Sequence, residues 1–347
     1  MNMKIAINGF GRIGRSFFRA AHGLADFDIV AVNDLADTTT LAYLLKYDSV
    51  YGRYAKEVKT EEGMLRVDGA AIQVFAEKDP AQLPWKKLGV DVVVESTGFF
   101  TDGAKAKAHI DAGAKRVVIT APAKGGVPTL LVGVNDDEFS AKGGPASGGK
   151  NPHPITCNAS CTTNSVAPVM RILMDAFGVE KAGMVTVHGY TATQKLVDGP
   201  DVKDMRRGRA AAVNIVPSTT GAAEAVIQSI PELEGKFDAI AMRVPVVAGS
   251  ISAITALVGS PTSVDEVNRV FRKAVKDSRW SKILTVTEDP VVSTDIIGQP
   301  YGAIMDLALT KVIDGNLVKV FSWYDNEAGY TATLVEHVRR VGENIKV

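Results

Sequence analysis

Cysteine is nearly absent from this chain: two of 347 residues, Cys157 and Cys161. Two are too few for a disulfide scaffold, so a cytoplasmic protein with reduced thiols is expected. Each cysteine then serves either packing or chemistry. Net charge is missing too, because 39 basic residues cancel 39 acidic ones. Without a global field, neither nucleic acid nor a membrane surface is expected as the main partner, and any anion site has to be local. No apolar run approaches the ~18 residues of a membrane span. No secretory leader is expected, since Met1 leads almost at once into Lys4-Ile5-Ala6-Ile7, a strand pattern. No internal repeat is visible. Histidine is scarce, at five residues, so an imidazole acid or base has few candidates.

What is present is an ordinary folded composition, 46% apolar and 22% charged, in a chain longer than one core usually grows. Two domains are expected. The first 135 or so residues alternate strand and helix. Strands are predicted at Lys4–Asn8, Ile29–Asn33, Val90–Glu95, Arg116–Thr120 and Leu130–Val134, with helices at Ile13–Leu24 and Thr38–Lys46. Such alternation predicts an α/β, doubly wound parallel sheet. Ser140–Pro154, rich in Gly, Ser and Pro, is expected to be an exposed loop between domains. Beyond it the spacing predicts a cysteine-headed helix, a strand at Met184–Val187, a polar stretch from Tyr190 to Ala212 and a helix at Gly221–Ile230. Strands follow at Ile240–Val244, Ile251–Val258 and Leu317–Trp323, and a helical tail at Tyr330–Lys346. Longer strands with fewer helices predict an α+β domain with a mostly antiparallel sheet. The expected division is 1–160 for nucleotide binding, completed by a terminal helix within 326–347, and 161–325 for catalysis.

Gly9-Phe10-Gly11-Arg12-Ile13-Gly14 directly follows a strand and opens a helix. Glycines there allow a tight turn and close approach of backbone to a pyrophosphate, while the helix N-terminus offers free N–H groups. A glycine-rich surface turn has the same composition. The next strand, however, ends in Asn33-Asp34, where a carboxylate can accept from an adenosine ribose and repel a 2′-phosphate. Alone Asp34 fits a helix cap equally well; in this strand–glycine–helix–strand–Asp order it points to NAD rather than NADP.

Ser160-Cys161-Thr162-Thr163-Asn164 precedes a helical stripe of Val166, Met170, Leu173 and Phe177, closed by Gly178. Cys161 therefore sits near a helix N-terminus, which favours the nucleophilic thiolate. Lowering a thiol pKa by about 3 units takes ~4 kcal/mol, and a helix end supplies up to ~2 kcal/mol. A second partner is expected. His22, His109 and His337 lie on predicted helices and suit surface or packing roles, and His153 falls in the inter-domain loop. His188 ends a buried-looking strand and begins a polar turn, a common setting for a catalytic group. With it, Cys161 is expected to be largely thiolate at neutral pH. The alternative for any single cysteine is structural burial.

Taken together these motifs resemble the phosphorylating glyceraldehyde-3-phosphate dehydrogenase family. Besides GFGRIGR, the chain carries LLKYDSVYGR (Leu44–Arg53), ESTGFFT (Glu95–Thr101), NASCTTN (Asn158–Asn164) and VHGYTATQ (Val187–Gln194). IVPSTTGAA (Ile215–Ala223), MRVPV (Met242–Val246) and SWYDNEAGY (Ser322–Tyr330) follow, so the resemblance spans essentially the whole chain. It implies oxidation of glyceraldehyde 3-phosphate to 1,3-bisphosphoglycerate with NAD and inorganic phosphate, through a thiohemiacetal and thioester on Cys161, with no metal. Cys161 matches the nucleophile and His188 its base. Thr191 and Arg243 match groups that hold the substrate phosphate, with Thr193 beside them. Ser160, Thr162, Thr220 and Gly221 match the pocket for attacking phosphate. Arg12, Ile13, Asp34, Lys78, Thr97 and Thr120 match cofactor contacts, and Asn326 the group that hydrogen-bonds the nicotinamide amide. A homotetramer is implied, with a loop from about Ala182 to Pro217 reaching a neighbour. The Arg206, Arg207 and Arg209 cluster falls in that loop, where intersubunit pairing is the favoured role.

Without the family, the three threonines fit capping or strand propensity, and Asn164 fits a helix-interior hydrogen-bonding residue. Three departures stand out: Ala328 where the family usually has tryptophan, a longer Ser140–Pro154 segment, and Ser165 where a second cysteine is common. The rival on the same scaffold is an erythrose-4-phosphate dehydrogenase type, which hydrolyses its thioester. The semialdehyde dehydrogenases fit these motifs poorly. A dinucleotide-binding regulator or RNA-binding protein would need neither the Cys/His pair nor a neutral charge balance.

Overall fold

The structure is a computed structural model that describes residues 2–135, 153–202, 204–343 and 345. Most of Ser140–Pro154 therefore lies outside the described residues. The chain divides into two compact units. The first comprises Met1–Leu130, Asn135–Ala159 and Leu334–Val347; the second comprises Leu131–Val134 and Ser160–Thr333.

In the first unit the chain runs β1 (Met3–Asn8), α1 (Arg12–Ala21), β2 (Phe27–Asn33), α2 (Thr38–Lys46), β3 (Val58–Glu61), β4 (Met64–Val67) and β5 (Ala70–Phe75). It continues through α3 (Trp85–Leu88), β6 (Val92–Glu95), α4 (Gly103–Asp111), β7 (Arg116–Ile119) and β8 (Ile155–Cys157). The sheet order is β3-β4-β5-β2-β1-β6-β7-β8. Every pairing from β5 to β8 is parallel, while β3, β4 and β5 form an antiparallel meander at one edge. Burial on both faces explains the unbroken apolar runs of the central strands: Val92, Val93 and Val94 are all fully buried. The meander at Val58–Phe75 was not foreseen, because its short strands carry Lys59, Thr60, Glu61 and Arg66 among their apolar residues.

Leu130–Val134 is not a strand. Leu130 N–H donates to Cys157 O at 3.0 Å, Val134 N–H turns back to Leu131 O at 3.0 Å, and Gly133 has φ +79. A Cβ at Gly133 would lie 2.9 Å from the Trp280 ring, so the glycine lets a turn pack where extended backbone would not.

In the second unit come α5 (Cys161–Phe177), β9 (Val179–Gly189), β10 (Val216–Ser218), α6 (Ala222–Ser229), β11 (Phe237–Val244), β12 (Ser250–Val258) and α7 (Val264–Ala274). Then follow β13 (Leu284–Thr287), β14 (Ala303–Asp306), β15 (Lys311–Ile313), β16 (Leu317–Tyr324) and α8 (Ala328–Glu343), whose residues from Leu334 on belong to the first unit. The sheet order is β10-β11-β9-β12-β16-β14-β13, with β15 also on β16. β9–β11 and β13–β14 are parallel and the other pairings antiparallel. Alternating burial along β12 and β16 marks a sheet with one packed face. α5 is buried on nearly every side, with Val166, Val169, Met170 and Leu173 wholly enclosed. None of the described helices is long and apolar enough to cross a membrane.

His337 of α8 is fully buried in the first unit. Its Nδ1 lies 3.1 Å from Asn158 Oδ1 and its Nε2 2.9 Å from Thr156 Oγ1. An amide oxygen can only accept, so Nδ1 carries the proton and Nε2 accepts from the threonine hydroxyl. Burial pushes this imidazole down to about 3. In an unfolded chain it protonates near pH ~6.5. Between those values the unfolded state binds a proton that the folded state refuses, so stability is lost as pH falls through that window. His337→Gln should shrink the drop in urea midpoint between about pH 7.5 and about pH 5. An unchanged drop would show that His337 is not a source of acid sensitivity.

Candidate active site

The chain leaves β1 toward β2 on one side, and β6 lies on the other, so the strand order reverses there. At that point a cavity of about 510 Å³ opens, with Gly9, Gly11, Asp34, Lys78 and Thr97 in its wall. The glycines have separate jobs. A Cβ on Gly9 (φ +89) would come within 2.6 Å of Thr97 N, and one on Gly14 within 2.1 Å of Gly9 O, so both allow close backbone packing. A Cβ on Gly11 would meet nothing within 4 Å; this glycine faces open cavity. It also caps α1 with no side chain on the first-turn N–H groups, which suits a pyrophosphate. The residues present therefore fit a dinucleotide.

Asp34 is held in that wall by two backbone donors, Phe10 N–H at 2.7 Å and Ala36 N–H at 3.0 Å. Its carboxylate ties the glycine loop to the end of β2 and retains lone pairs for a ribose. Arg12 turns instead to Asp48 and lies over the Tyr51 ring. Ile13 sits in the first turn of α1, and Thr120 just after β7, its N–H on Glu95 O at 3.0 Å. Neither lines the cavity.

A buried network stands behind the wall. Glu95 is 1% exposed, and its carboxylate accepts from Asn8 Nδ2 at 2.5 Å, Thr97 N–H at 2.8 Å and Thr97 Oγ1 at 2.5 Å. His109 Nε2 approaches it at 3.0 Å. The Trp85 indole donates to His109 Nδ1 at 3.0 Å. Because an indole N–H can only donate, Nε2 holds the imidazole proton and gives it to Glu95. His109 was expected to be a surface or packing residue; it is an interior hydrogen-bonding group. Thr97's hydroxyl proton is committed to Glu95, so Thr97 meets the cavity with its remaining surface.

In the second unit Cys161 opens α5. Ser160 Oγ caps the helix by accepting from Thr163 N–H at 3.1 Å, and Ala159 before it has φ +53. Cys161 Sγ lies 3.4 Å from His188 Nε2, within reach for a sulfur–imidazole contact. Tyr324 braces both: its ring meets the His188 ring edge-on at 5.8 Å, and its hydroxyl lies 3.0 Å from Thr162 Oγ1 and 2.8 Å from Thr186 Oγ1. Tyr324 was not singled out from sequence, although its place at the end of an alternating strand is a signal for such a brace.

The electrostatics bear on the thiolate expected at Cys161. Cys161 keeps partial exposure, yet burial around its sulfur pushes the thiol up, outweighing the opposite pull of Arg243. Burial and then Arg243 push His188 down to about 3. Burial thus works against charge on both members of the pair. The helix end and the histidine are visible in the sequence, whereas the desolvation around them is not.

Arg243 Nη1 lies 2.6 Å from His188 Nδ1, so Cys161, His188 and Arg243 form one cluster. Thr191 and Thr193 meet each other, Oγ1 to Oγ1 at 2.9 Å. Thr162's side chain is buried on Tyr324. Thr220 Oγ1 accepts from Ala222 N–H at 3.2 Å, and Gly221 is the cap of α6. Asn326 Oδ1 accepts from Ser250 Oγ at 3.2 Å, and Ser250 Oγ accepts from Gly189 N–H at 3.2 Å. Asn164 donates to Ser160 O at 3.0 Å. Arg209 pairs with Asp198 at 3.0 Å and Arg207 with Asp204 at 3.8 Å, both within the chain.

A largely parallel sheet with a dinucleotide-fitting cavity, and a second unit in which helix α5 and strand β9 bring a cysteine to a histidine, define an NAD-dependent oxidoreductase of the two-domain aldehyde dehydrogenating kind. Residues 3–103 match the NAD binding domain of glyceraldehyde 3-phosphate dehydrogenase and residues 160–326 its C-terminal domain. The chain is 52% identical to glyceraldehyde-3-phosphate dehydrogenase of Thermotoga maritima, across 96% of this chain and 97% of the relative. It is 49% identical to that of Mycobacterium avium and 48% identical to glyceraldehyde-3-phosphate dehydrogenase 1 of Streptomyces avermitilis, in both cases across 99% of this chain and 100% of the relative. The chain belongs to the glyceraldehyde-3-phosphate dehydrogenase family.

The two cysteines differ in access. Cys157 is wholly buried, and its Sγ donates to Ala121 O at 2.9 Å; Cys161 is reachable. Limiting iodoacetamide on the folded protein should label Cys161 first and abolish activity in proportion, while in denaturant both should react. Labelling of Cys157 in step with lost activity would mean that the nucleophile has been misassigned.

Proposed function

We propose that the chain oxidises glyceraldehyde 3-phosphate and joins the product to inorganic phosphate, giving 1,3-bisphosphoglycerate and NADH. The observation that carries this reading is the 3.4 Å approach of Cys161 Sγ to His188 Nε2 at the head of a capped helix. It is supported by relatives that bear the name glyceraldehyde-3-phosphate dehydrogenase along nearly their full length.

His188 Nε2 takes the thiol proton as Cys161 Sγ adds to the aldehyde carbon, and hands it to the carbonyl oxygen. A C–S bond forms and the product is a thiohemiacetal. Bound NAD+ supplies the hydride acceptor. As the carbon gives up its hydride, His188 Nε2 receives the hydroxyl proton, and a thioester remains. A phosphate oxygen then attacks the acyl carbon, the C–S bond breaks, and the sulfur leaves as a thiolate stabilised by the imidazolium. The acyl phosphate keeps the free energy that hydrolysis would release as heat.

Residues 1–160 with 326–347 would hold NAD, through Gly9, Gly11, Arg12, Ile13, Gly14, Asp34, Lys78, Thr97, Thr120 and Asn326. Residues 161–325 would carry the chemistry, with Thr191, Thr193 and Arg243 on the substrate phosphate. Ser160, Thr162, Thr220 and Gly221 would receive the attacking one. The reading includes a cytoplasmic location, supported by two free thiols. It also includes a homotetramer, supported by exposed Leu196, Val197, Val202, Met205, Val213 and Ile215, an apolar stretch that asks for cover.

The test is NADH production from glyceraldehyde 3-phosphate with and without inorganic phosphate. Sustained turnover should need phosphate, and Cys161→Ser should lose nearly all of it while still binding NAD+. Equal turnover without phosphate would point to thioester hydrolysis and overturn the phosphorylating reading. A separate assay concerns Asp34. Its carboxylate should favour NAD+ over NADP+ by at least about tenfold in kcat/KM, since a like charge on a 2′-phosphate costs well over 1 kcal/mol. Asp34→Ala should narrow that ratio; equal use of both cofactors by the native enzyme would show that Asp34 does not meet the ribose.

A further inference from the structure

The buried carboxylate behind the cofactor cavity is tied to two separate segments of its wall. Among the described residues four donors converge on Glu95, two on each oxygen. Oε1 takes the Thr97 N–H at 2.8 Å and the Thr97 hydroxyl at 2.5 Å. Thr97 Oγ1 accepts in turn from Phe99 N–H at 3.0 Å, so the chain from Thr97 to Phe99 hangs on that oxygen. Oε2 takes Asn8 Nδ2 at 2.5 Å and His109 Nε2 at 3.0 Å. Asn8 Oδ1 accepts from Asn33 Nδ2 at 2.7 Å. Asn33 then holds Glu77 by both backbone groups, donating to its carbonyl at 2.9 Å and accepting from its N–H at 2.8 Å. Thr97 and Phe99 line the cavity at one end of this relay, and Glu77 with Lys78 at the other.

His109 lies outside the lining yet sets the middle of the relay. It is fully buried on α4. The Trp85 indole donates to its Nδ1 at 3.0 Å, so the hydrogen of the ring sits on Nε2, aimed at Glu95. Asn8 Nδ2 is 3.3 Å from that Nε2, the spacing of two donors that share one acceptor. The ring of Phe100, another lining residue, meets the imidazole edge-on at 6.2 Å. Without the imidazole, Oε2 would keep Asn8, whose amide is itself the link to Asn33 and Glu77. The carboxylate would still be hydrogen-bonded, and what it would lose is a fixed orientation.

We propose that His109 is a positioning residue for NAD, holding Glu95 so that segments 97–100 and 77–78 of the cavity wall are set before the dinucleotide arrives. The inference rests on this cavity being the cofactor site. Buried behind the lining, His109 acts on the ligand through those two segments. Ordering them in advance removes a cost that binding would otherwise carry.

Two replacements of similar length separate hydrogen bonding from space filling. His109→Gln offers an amide that can donate to Glu95 and accept from Trp85, whereas His109→Met fills the space without a donor. Affinity for NAD+ is read by calorimetric titration of nucleotide-free protein, with neither aldehyde nor phosphate present. The methionine variant should raise the dissociation constant about tenfold, the scale of one lost hydrogen bond to a carboxylate, and the glutamine variant should stay within about threefold of native. Glutamine as weak as methionine, or methionine as tight as native, overturns the proposal. Should the methionine variant fail to fold, the native protein carries a second measurement, hydrogen exchange at the Thr97 and Glu77 N–H groups. Both should be protected in the absence of NAD+; exchange of either at the unprotected rate until NAD+ is added overturns the proposal. Titration of the native protein reports separately on the cofactor reading. If native protein binds NAD+ and both variants match it, the role of His109 falls while the cavity remains the cofactor site.

Discussion

A sulfur and an imidazole nitrogen 3.4 Å apart have to be delivered by residues 27 positions apart in the chain, and the second unit is arranged around that requirement. The 17 residues of α5 carry the chain about 25 Å away from Cys161. Gly178, with φ +67, ends the helix and β9 starts at once. Ten residues of strand from Val179 to His188 can run back about 33 Å, enough to regain the level of Cys161 even with the tilt between helix and strand. β9 cannot wander on the way, because β11 pairs with it from Ala182 to Gly189 on one side and β12 between Val179 and Val187 on the other. The same pairing puts Arg243 directly opposite His188 in the ladder. Helix length, glycine stop and parallel register together make the site.

Burial then decides what the site can hold. A helix end offers up to ~2 kcal/mol to a thiolate, and desolvation of an ion is worth more than that. Both members of the pair are therefore driven toward their neutral forms, with His188 at about 3. Arg243 pulls the two groups in opposite directions, favouring charge on Cys161 and opposing it on His188, so its position has leverage over both.

What the sequence made legible were the features with a local signature. The glycine turn between strand and helix, the helix that starts at Ser160-Cys161, and the strand that ends at His188 each follow from residues adjacent in the chain. The parallel–antiparallel division of the two sheets follows from the spacing of their apolar runs. Features that depend on distant partners did not show. Leu130–Val134 has the composition of a strand, but the space beside Gly133 is taken by Trp280, a residue nearly 150 positions away. Tyr324 becomes a brace only because Thr162 and Thr186 converge on its hydroxyl. Desolvation at Cys161, which opposes the thiolate expected there, has no local signature either.

The cofactor pocket shows how a wall can be made firm without using up its binding surface. Glu95 is a buried carboxylate, and an isolated charge there would be costly. Asn8, His109 and both donors of Thr97 converge on it, and Asn33 Nδ2 donates in turn to Asn8 Oδ1 at 2.7 Å. The ends of β1, β2 and β6, which are the three strands flanking the cavity, are thereby locked to one another from behind. Much of the side-chain polarity of Asn8 and Thr97 is spent on the carboxylate, which leaves glycine, backbone, Asp34 and Lys78 among the groups toward the cavity. That division suits a dinucleotide, since free N–H groups at the start of α1 and an acceptor at Asp34 both border the cavity. Replacing His109, the inner donor outside the cavity lining, would therefore loosen the wall without removing a lining group.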